Sequence, residues 1–380
     1  MSAVRRILVV GASLGGLAMA NTLSRSGAEV QVFERGAAGF ETRGGGLGLD
    51  LSSAGALRGG ELPAHLILHE RRIATGGAEM IEPTRLPVTS YGAMWAWMRA
   101  GLHGSPVNLR FGTRVTAIAS DASRAHLVCE DGSTAEGDLI VLADGGASAL
   151  RAQLPGVPAE RHYAGYVLWR GLVPAAEVTG EDELVERFHL ATDPSHHFVA
   201  YPIPTADGRT GANERGINWG WYFPLAEADM QALYDAELTD APHAIGRLVM
   251  PAAWTETLSM QALHRWPPWA RRLVATSTRL GLLAPHPIYE YRPACLSAGR
   301  IVLAGDVAHQ ASPITGAGAR MGIEDALVLG DALSRHAELP AALAVYTDVR
   351  LGAVQAVVEH GIKVGARFGA PDCASRGVGI

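Results

Sequence analysis

Lysine is all but missing from this chain of 380 residues: Lys363 is the only one, so the 32 basic side chains are otherwise arginines. A mechanism that needs a catalytic lysine amine is therefore nearly excluded. Cysteine is scarce too. Cys129, Cys295 and Cys373 are far apart, form no CxxC pair and no metal-ligand spacing, and read as reduced thiols of a cytoplasmic protein with no metal site. No long run of either charge sign occurs, and 32 basic against 38 acidic residues leave a formal charge of −6, which argues against nucleic-acid partners and a polybasic membrane anchor. No apolar run approaches the ~20 residues that span a bilayer. Residues 1–6 lead straight into the first strand pattern without a signal-peptide cleavage region. The expectation is a soluble, cytoplasmic protein with no membrane partner.

What is plentiful is apolar: 48% of the residues are hydrophobic and only 18% charged, the balance of a well-buried globular chain. The length exceeds one typical core and predicts two intimately packed domains. RILVV (6–10), helical spacing from Leu14 to Leu23, and EVQVF (29–33) make a strand–turn–helix–strand opening of a parallel sheet. The glycine-dense stretch 37–60 reads as loop with one short strand. Residues 93–102 read as a helix, and 107–118, 125–129 and 138–142 as strands. The middle differs: 163–173, 197–203 and 216–223 alternate with period 2, are aromatic, and are separated by turn residues, as in an antiparallel sheet. Helical patterns fill 227–275, a buried strand returns at 300–304, and helices follow at 320–336 and 341–361.

The fold expected is α/β: a Rossmann-like nucleotide-binding domain on a parallel sheet, an inserted, mostly antiparallel substrate domain, and C-terminal helices. The boundaries are 1–160 for the first part of the nucleotide domain, with small substrate-domain segments near 65–92. Residues 161–285 form the substrate domain, and 286–380 complete the nucleotide domain.

Gly11-Ala12-Ser13-Leu14-Gly15-Gly16 stands where a G-x-G-x-x-G would, with Ser13 in place of the second glycine, and Glu34 ends the next strand. A carboxylate there accepts from ribose hydroxyls and repels a 2′-phosphate. The fingerprint does not separate NAD from FAD, but two distant segments bear on it. Asp144 follows the strand pattern 138–142 in ADGGASALR, with Arg151 at the end of that segment. Asp306 follows RIVLA and leads through His309, Pro313, Gly316 and Gly318 into a helix. An aspartate just past a strand can accept from a ribityl hydroxyl, and a helix N-terminus there favours the negative charge of a reduced flavin.

GASLGG with Glu34, ADGGASALR, and GDVAHQASPITGAGARMGIEDA together resemble the FAD-binding elements of the single-component flavoprotein aromatic hydroxylases, and bracket residues 7–330. YAGYVLWRG (163–171) and HFVAYPIP (197–204) are most similar to the pyridine-ring branch of that family. The resemblance implies FAD held at the pyrophosphate by Gly11, Ser13, Leu14 and Gly16, at the ribose by Glu34, and near adenosine and phosphates by Arg43. Val115 would lie near adenine, Asp144 on the second cofactor segment, Asp306 on ribityl, and the backbone of Ala317, Gly318 and Ala319 on the pyrimidine edge. Tyr91 and Arg320 depart from residues common in the family at cofactor-facing positions.

The chemistry implied is hydroxylation of an electron-rich hydroxy-aromatic or hydroxypyridine ring. NADH or NADPH would give hydride transiently to FAD, O2 would add at flavin C4a, and the hydroperoxide would deliver the oxygen. Tyr201 and Pro313 are the candidate catalytic residues, and His197, Tyr201, Trp219, Trp221 and Pro313 the candidate substrate contacts. The bland reading of the aromatics is core packing, since pockets and cores use the same residues. His309 fits loop ordering better than base catalysis, and Arg170 fits a buried structural cation equally well. The partners expected are a small aromatic substrate and O2, with a homodimer as the candidate assembly. A flavin halogenase shares the first domain, and Trp219-Gly220-Trp221-Tyr222-Phe223-Pro224 approximates its W-x-W-x-I-P signature. That class needs a lysine between its sites, and Lys363 lies far along the last helix. A flavin reductase without oxygen insertion and a non-catalytic nucleotide-binding scaffold remain as alternatives.

Overall fold

A computed structural model describes residues 6–37, 45–178, 182–237 and 251–369. Arg43 and Cys373 lie outside the described residues. Arg6–Val10 pairs in parallel with both Glu29–Phe33 and Leu139–Leu142, because consecutive βα connections place like-directed apolar strands side by side. Val107–Arg110 extends one edge of this six-stranded sheet. Ile301–Leu303 extends the other, and the short antiparallel strand Ser297–Ala298 closes it. The interior strands are buried almost residue for residue, as expected of a sheet covered on both faces.

The helix Leu14–Ser24 lies between that sheet and the helix Gly318–Arg335. Small residues set the spacing: a Cβ on Gly322 would lie 3.5 Å from Cα of Gly15, and one on Gly330 would collide with Thr22. The glycine-dense stretch holds the strand Gly46–Gly48 and also a helix, Leu51–Leu57, which periodicity missed over two turns. Asp50 caps it, its carboxylate accepting from Ser53 N at 2.7 Å. The stretch read as one strand over 107–118 is two, Val107–Arg110 and Val115–Ser120, separated by a turn at Gly112 with φ +66°.

The second sheet has eight strands, in the order Ala284–Glu290, His162–Pro174, Gly216–Pro224, His197–Ile203, Phe188–Thr192, Leu66–Thr75, Ala78–Ser90 and Gly46–Gly48. All neighbours are antiparallel except Phe188–Thr192 with Leu66–Thr75. The strand Ala284–Glu290 runs across the boundary expected at 285. A three-stranded antiparallel sheet spans Val115–Ser120, Ala125–Cys129 and Thr134–Gly137. Glu227–Glu237, Ala252–Arg265 and Pro268–Leu280 are helices.

The last helix, Leu339–Gly369, departs from one expectation. Residues 339–368 are long and apolar enough to cross a membrane by length and composition, with a mean hydropathy of 1.3 over the best window, a third of which is buried. Its inner side is packed: Tyr346, Val354, Val358 and Phe368 are fully buried, and Tyr346 Oη donates to the Leu303 carbonyl at 2.8 Å.

Candidate active site

The turn after the first strand is shaped by backbone contact. Gly11 adopts φ +103°, its N–H donates to the Phe33 carbonyl at 2.8 Å, and a Cβ there would collide with the Ala143 carbonyl. A Cβ on Gly16 would collide with the Gly11 carbonyl, so Gly16 lets the helix start against the loop. Ser13 occupies the N-cap of that helix but does not cap it; its Oγ is 2.9 Å from Tyr91 Oη. The first-turn N–H groups thus keep their partial positive charge free for an anion. Trp95 Nε1 donates to the Ala12 carbonyl at 2.8 Å and holds the loop from behind, a role that sequence patterning did not reveal.

Glu34 is buried. Its two oxygens accept from Ala12 N at 2.9 Å and Gly36 N at 2.7 Å, which fixes the carboxylate while leaving lone pairs for further donors. Gly11, Ser13, Glu34, Val115, Asp144 and Asp306 all line one cleft of about 340 Å³. Arg35, Arg114 and Arg161 also line it and supply positive charge. Leu14 does not line it; its side chain is buried in the core, so only its backbone N–H is placed for an anion. Asp144 Oδ1 is buried with no hydrogen-bond partner among the described residues, and desolvation raises its carboxyl pKa against the bond from Ser148. Asp306 projects into the cleft, where desolvation also raises its pKa, opposed by His309. An uncapped helix terminus, an orphaned carboxylate oxygen and arginines around one cleft fit a dinucleotide with a diphosphate.

Behind Asp306 is a buried network. Asp325 Oδ2 accepts from Gly305 N at 2.9 Å and lies 2.7 Å from His309 Nε2, while its Oδ1 accepts from Arg350 Nε at 2.8 Å. Burial works against a charged His309, but Asp325 and then Asp306 outweigh it and raise its pKa. This network orders the loop, as the sequence suggested for His309. Arg151, buried beneath the second segment, donates to the carbonyls of Val307, Gly146 and Ala159, and its guanidinium lies 3.8 Å from the ring centroid of Tyr291. Arg320 is paired with Glu324 at 2.6 Å.

The loop after Asp306 runs from the cleft to the eight-stranded sheet. Gln310 and Asp306 line the cleft. Ser312 Oγ accepts from Tyr166 Oη at 2.7 Å, and Ile314 packs against the cluster of Tyr166, Leu168, Tyr222, Ile288 and Phe368. Pro313 is exposed at the start of a short turn capped by Ser312. Ala317 has a buried side chain, and its N–H is held by Thr315 Oγ1 at 3.3 Å; Gly318 and Ala319 open the following helix.

On the sheet, His197 pairs with Tyr222 and Tyr201 with Asn218, and period 2 puts these four on the face toward that loop. His197 is pushed down to about 4 by desolvation, with Arg367 adding to it, so its ring is neutral at neutral pH. Tyr201 is pushed up to about 12 by desolvation, against Arg170. Trp219 and Trp221 are on the other face and need correcting as substrate contacts. Trp219 stacks on Phe198 at 5.2 Å and Trp221 meets Trp266 edge-on at 5.6 Å, both at most 1% exposed, in a closed core against the helices Ala252–Arg265 and Pro268–Leu280. Every strand residue from Ile217 to Phe223 is buried, so alternation separates two faces without saying which one meets a ligand.

Three family models match in succession: pyridine nucleotide-disulphide oxidoreductase over residues 5–166, FAD binding domain-like over 163–271, and FAD binding domain over 287–361. A 2,6-dihydroxypyridine 3-monooxygenase of Paenarthrobacter nicotinovorans is 27% identical over 89% of this chain and 85% of its own length. The solved structure of 2,6-dihydroxypyridine-3-hydroxylase from Arthrobacter nicotinovorans superposes with a TM-score of 0.82 at 26% identity, covering 97% of this chain and 93% of that one. The 3-amino-4-hydroxybenzoate 2-monooxygenase PtnB3 of Streptomyces platensis is 30% identical over 97% of this chain and 89% of its own length. Similarity of that degree, end to end, makes this chain a member of the family of FAD-dependent monooxygenases.

Proposed function

We propose that this enzyme hydroxylates an electron-rich hydroxy-aromatic or hydroxypyridine ring, in the cytoplasm, with NADH or NADPH and O2 as co-substrates. The observation that carries the reading is the single loop that begins at Asp306 in the nucleotide cleft and ends against the Tyr166–Tyr222 face of the sheet. It couples a dinucleotide site to a second, aromatic-lined surface. The similar proteins act, by their names, on a dihydroxypyridine and an aminohydroxybenzoate, rings of the class proposed.

FAD, when bound, supplies the hydride acceptor and the oxygen-activating group. Gly11, Ser13 and the backbone at Leu14, with Gly16 keeping the helix close, would hold the diphosphate. Glu34 would take the ribose hydroxyls, Val115 would lie by adenine, and Asp144 and Asp306 would accept from hydroxyls of the cofactor. The backbone at Ala317, Gly318 and Ala319 would face the pyrimidine edge. On the sheet, Tyr201 stays protonated and donates a hydrogen bond, His197 stays neutral, and Pro313 lines the loop side. Residues 1–160 and 286–380 would serve the cofactor, and 161–285 with the hairpin near 65–92 the substrate.

The test is a panel of hydroxypyridines and phenols on the purified protein, scored by stimulated NADH and NADPH oxidation and by product mass. A yellow protein whose NAD(P)H oxidation rises with one ring and whose product gains one oxygen is expected. Stimulated oxidation with unaltered ring would instead leave a reductase, and a colourless protein that refuses FAD would overturn the reading.

A further inference from the structure

Arg161 stands where the chain passes from the nucleotide domain into the strand His162–Pro174, and it lines the cleft. That lining divides between the two sheets. Gly11, Ser13, Glu34 and Arg35 come from the turns that follow strands of the six-stranded sheet. Arg161 and His286 come from the eight-stranded one, and Gln310 joins them through a backbone bridge to Tyr291. Arg161 is half-buried and has no hydrogen bond or ion pair to any described residue. What holds it is an aromatic face: its guanidinium lies 3.9 Å from the ring centroid of Tyr289. Tyr289 meets the Tyr163 ring at 5.6 Å, and Tyr163 Oη donates to the Leu225 carbonyl at 3.1 Å, so the platform is fixed. A guanidinium stacked on a ring keeps its N–H groups in plane, two of them side by side as a phosphate requires. Arg151 adds positive potential nearby. Burial chiefly lowers its pKa and repulsion from Arg161 works the same way, with Tyr291 and Asp144 opposing. A cation beside a second cation, open to a cleft and without a carboxylate of its own, is built for an anion that arrives from solvent.

We propose that Arg161 is the docking residue for the diphosphate of NADH or NADPH, at the wall of the cleft built by the eight-stranded sheet. The proposal rests on the monooxygenase reading above and assigns the entry point of its reductant. The diphosphate of FAD falls to the N–H groups at Ser13 and Leu14, on the wall built by the six-stranded sheet, so the two anions have separate partners. The nicotinamide gives its hydride to the flavin, and NAD+ or NADP+ leaves with its diphosphate unchanged. The contact must therefore break in every turnover. One partly solvated guanidinium suits that demand. Arg151, buried and committed to the carbonyls of Val307, Gly146 and Ala159, does not. Because both nucleotides carry the same diphosphate, Arg161 does not choose between them.

The experiment uses the FAD-loaded enzyme without oxygen and follows flavin bleaching as NADH or NADPH is varied. ADP-ribose, which carries the diphosphate without the nicotinamide, serves as competitor. Arg161→Gln should raise the half-saturating concentration of both nucleotides, and the inhibition constant of ADP-ribose, by about tenfold or more. Flavin content, melting temperature and the limiting bleaching rate should stay close to wild type. Arg161→Lys should recover part of the loss. Added salt should weaken nucleotide binding to wild type and change Arg161→Gln less. If Arg161→Gln misfolds, Arg161→Lys and the salt series on wild type carry the same test. Unchanged half-saturation in Arg161→Gln, or a wild type indifferent to salt, would overturn the docking role. Loss of flavin from a folded Arg161→Gln would overturn it by placing the guanidinium on FAD, and a loss confined to NADPH would overturn it in favour of a 2′-phosphate contact. A wild-type flavin that neither nucleotide bleaches strikes the monooxygenase reading, whereas bleaching that ignores Arg161 strikes the docking site alone.

Discussion

The two faces of the strand Gly216–Pro224 use similar residue types for opposite ends. On one, Trp219, Trp221 and Phe223 close with Phe198, Trp266 and Trp269 into an aromatic core with exposures of 7% or less. The indole N–H groups of Trp221, Trp266 and Trp269 have no acceptor among the described residues, but they are buried among rings. On the other, Tyr222 and Asn218 adjoin His197, Tyr201 and Arg170, and the unmatched polar heads of Arg170 and Tyr201 point at a glycine strand. An unpaired polar group therefore says little by itself; its accessibility to a partner separates a packing cost from a binding site.

The largest effect that would break this contrast is on the closed face. Trp221→Ala should cost about 3–5 kcal/mol in denaturant unfolding, since it empties a fully buried indole site. If stability held while substrate binding disappeared, the core assignment would be wrong. Next in size is Asp325→Asn. Asp325 faces both Arg350 and His309 at 0% exposure, and Glu324 still pairs with Arg350 at 2.8 Å after the change, so a loss of about 3 kcal/mol is expected. Flavin content should fall with it, because Asp325 also accepts from Gly305 N beside Asp306. A stable variant with full flavin content would show that the loop holds its shape without the network.

How much was legible in the sequence follows the same divide. The nucleotide cleft is built largely from backbone, and backbone demands leave glycines at fixed places: Gly11 at positive φ and Gly16 against a carbonyl could be read because little else fits. The expectation for Glu34 and Asp306 came from their place just after strands, and both line the cleft. The sheet was harder. Its strands were found, yet with both sides of Gly216–Pro224 buried, period 2 did not show that Trp219 and Trp221 point into the closed core. Arg170 read equally well as a structural cation, because only the folded chain shows that no described residue bonds to it. Asp325 did leave a signal that went unused: it lies on the apolar stripe of Met321, Gly322, Ala326 and Leu329, where a carboxylate implies buried partners.

A sharper test of the cleft itself is Asp306→Ala. The side chain projects into the cleft and carries no bond that supports the loop, so folding should change little while FAD affinity drops by about tenfold or more. The flavin-to-protein absorbance ratio after gel filtration reads this directly. Full retention of flavin would remove Asp306 from the cofactor site.

The smallest effect concerns Glu290, on the strand Ala284–Glu290 that pairs along His162 to Arg170, with Glu290 opposite His162. Its Oε1 has no hydrogen-bond partner among the described residues, and desolvation raises its carboxyl to about 7. Between about pH 4.5 and 7 the unfolded chain has released this proton and the folded chain still holds it, so the folded state binds more protons. Stability must then fall as pH rises through that window. Glu290→Gln removes the titration, so the variant should match wild type at pH 4 and exceed it at pH 8. The gap should be on the order of 1 kcal/mol after allowance for the solvent that reaches a partly enclosed carboxyl. A gap that stayed constant from pH 4 to pH 8 would mean that Glu290 titrates alike in the folded and the unfolded chain.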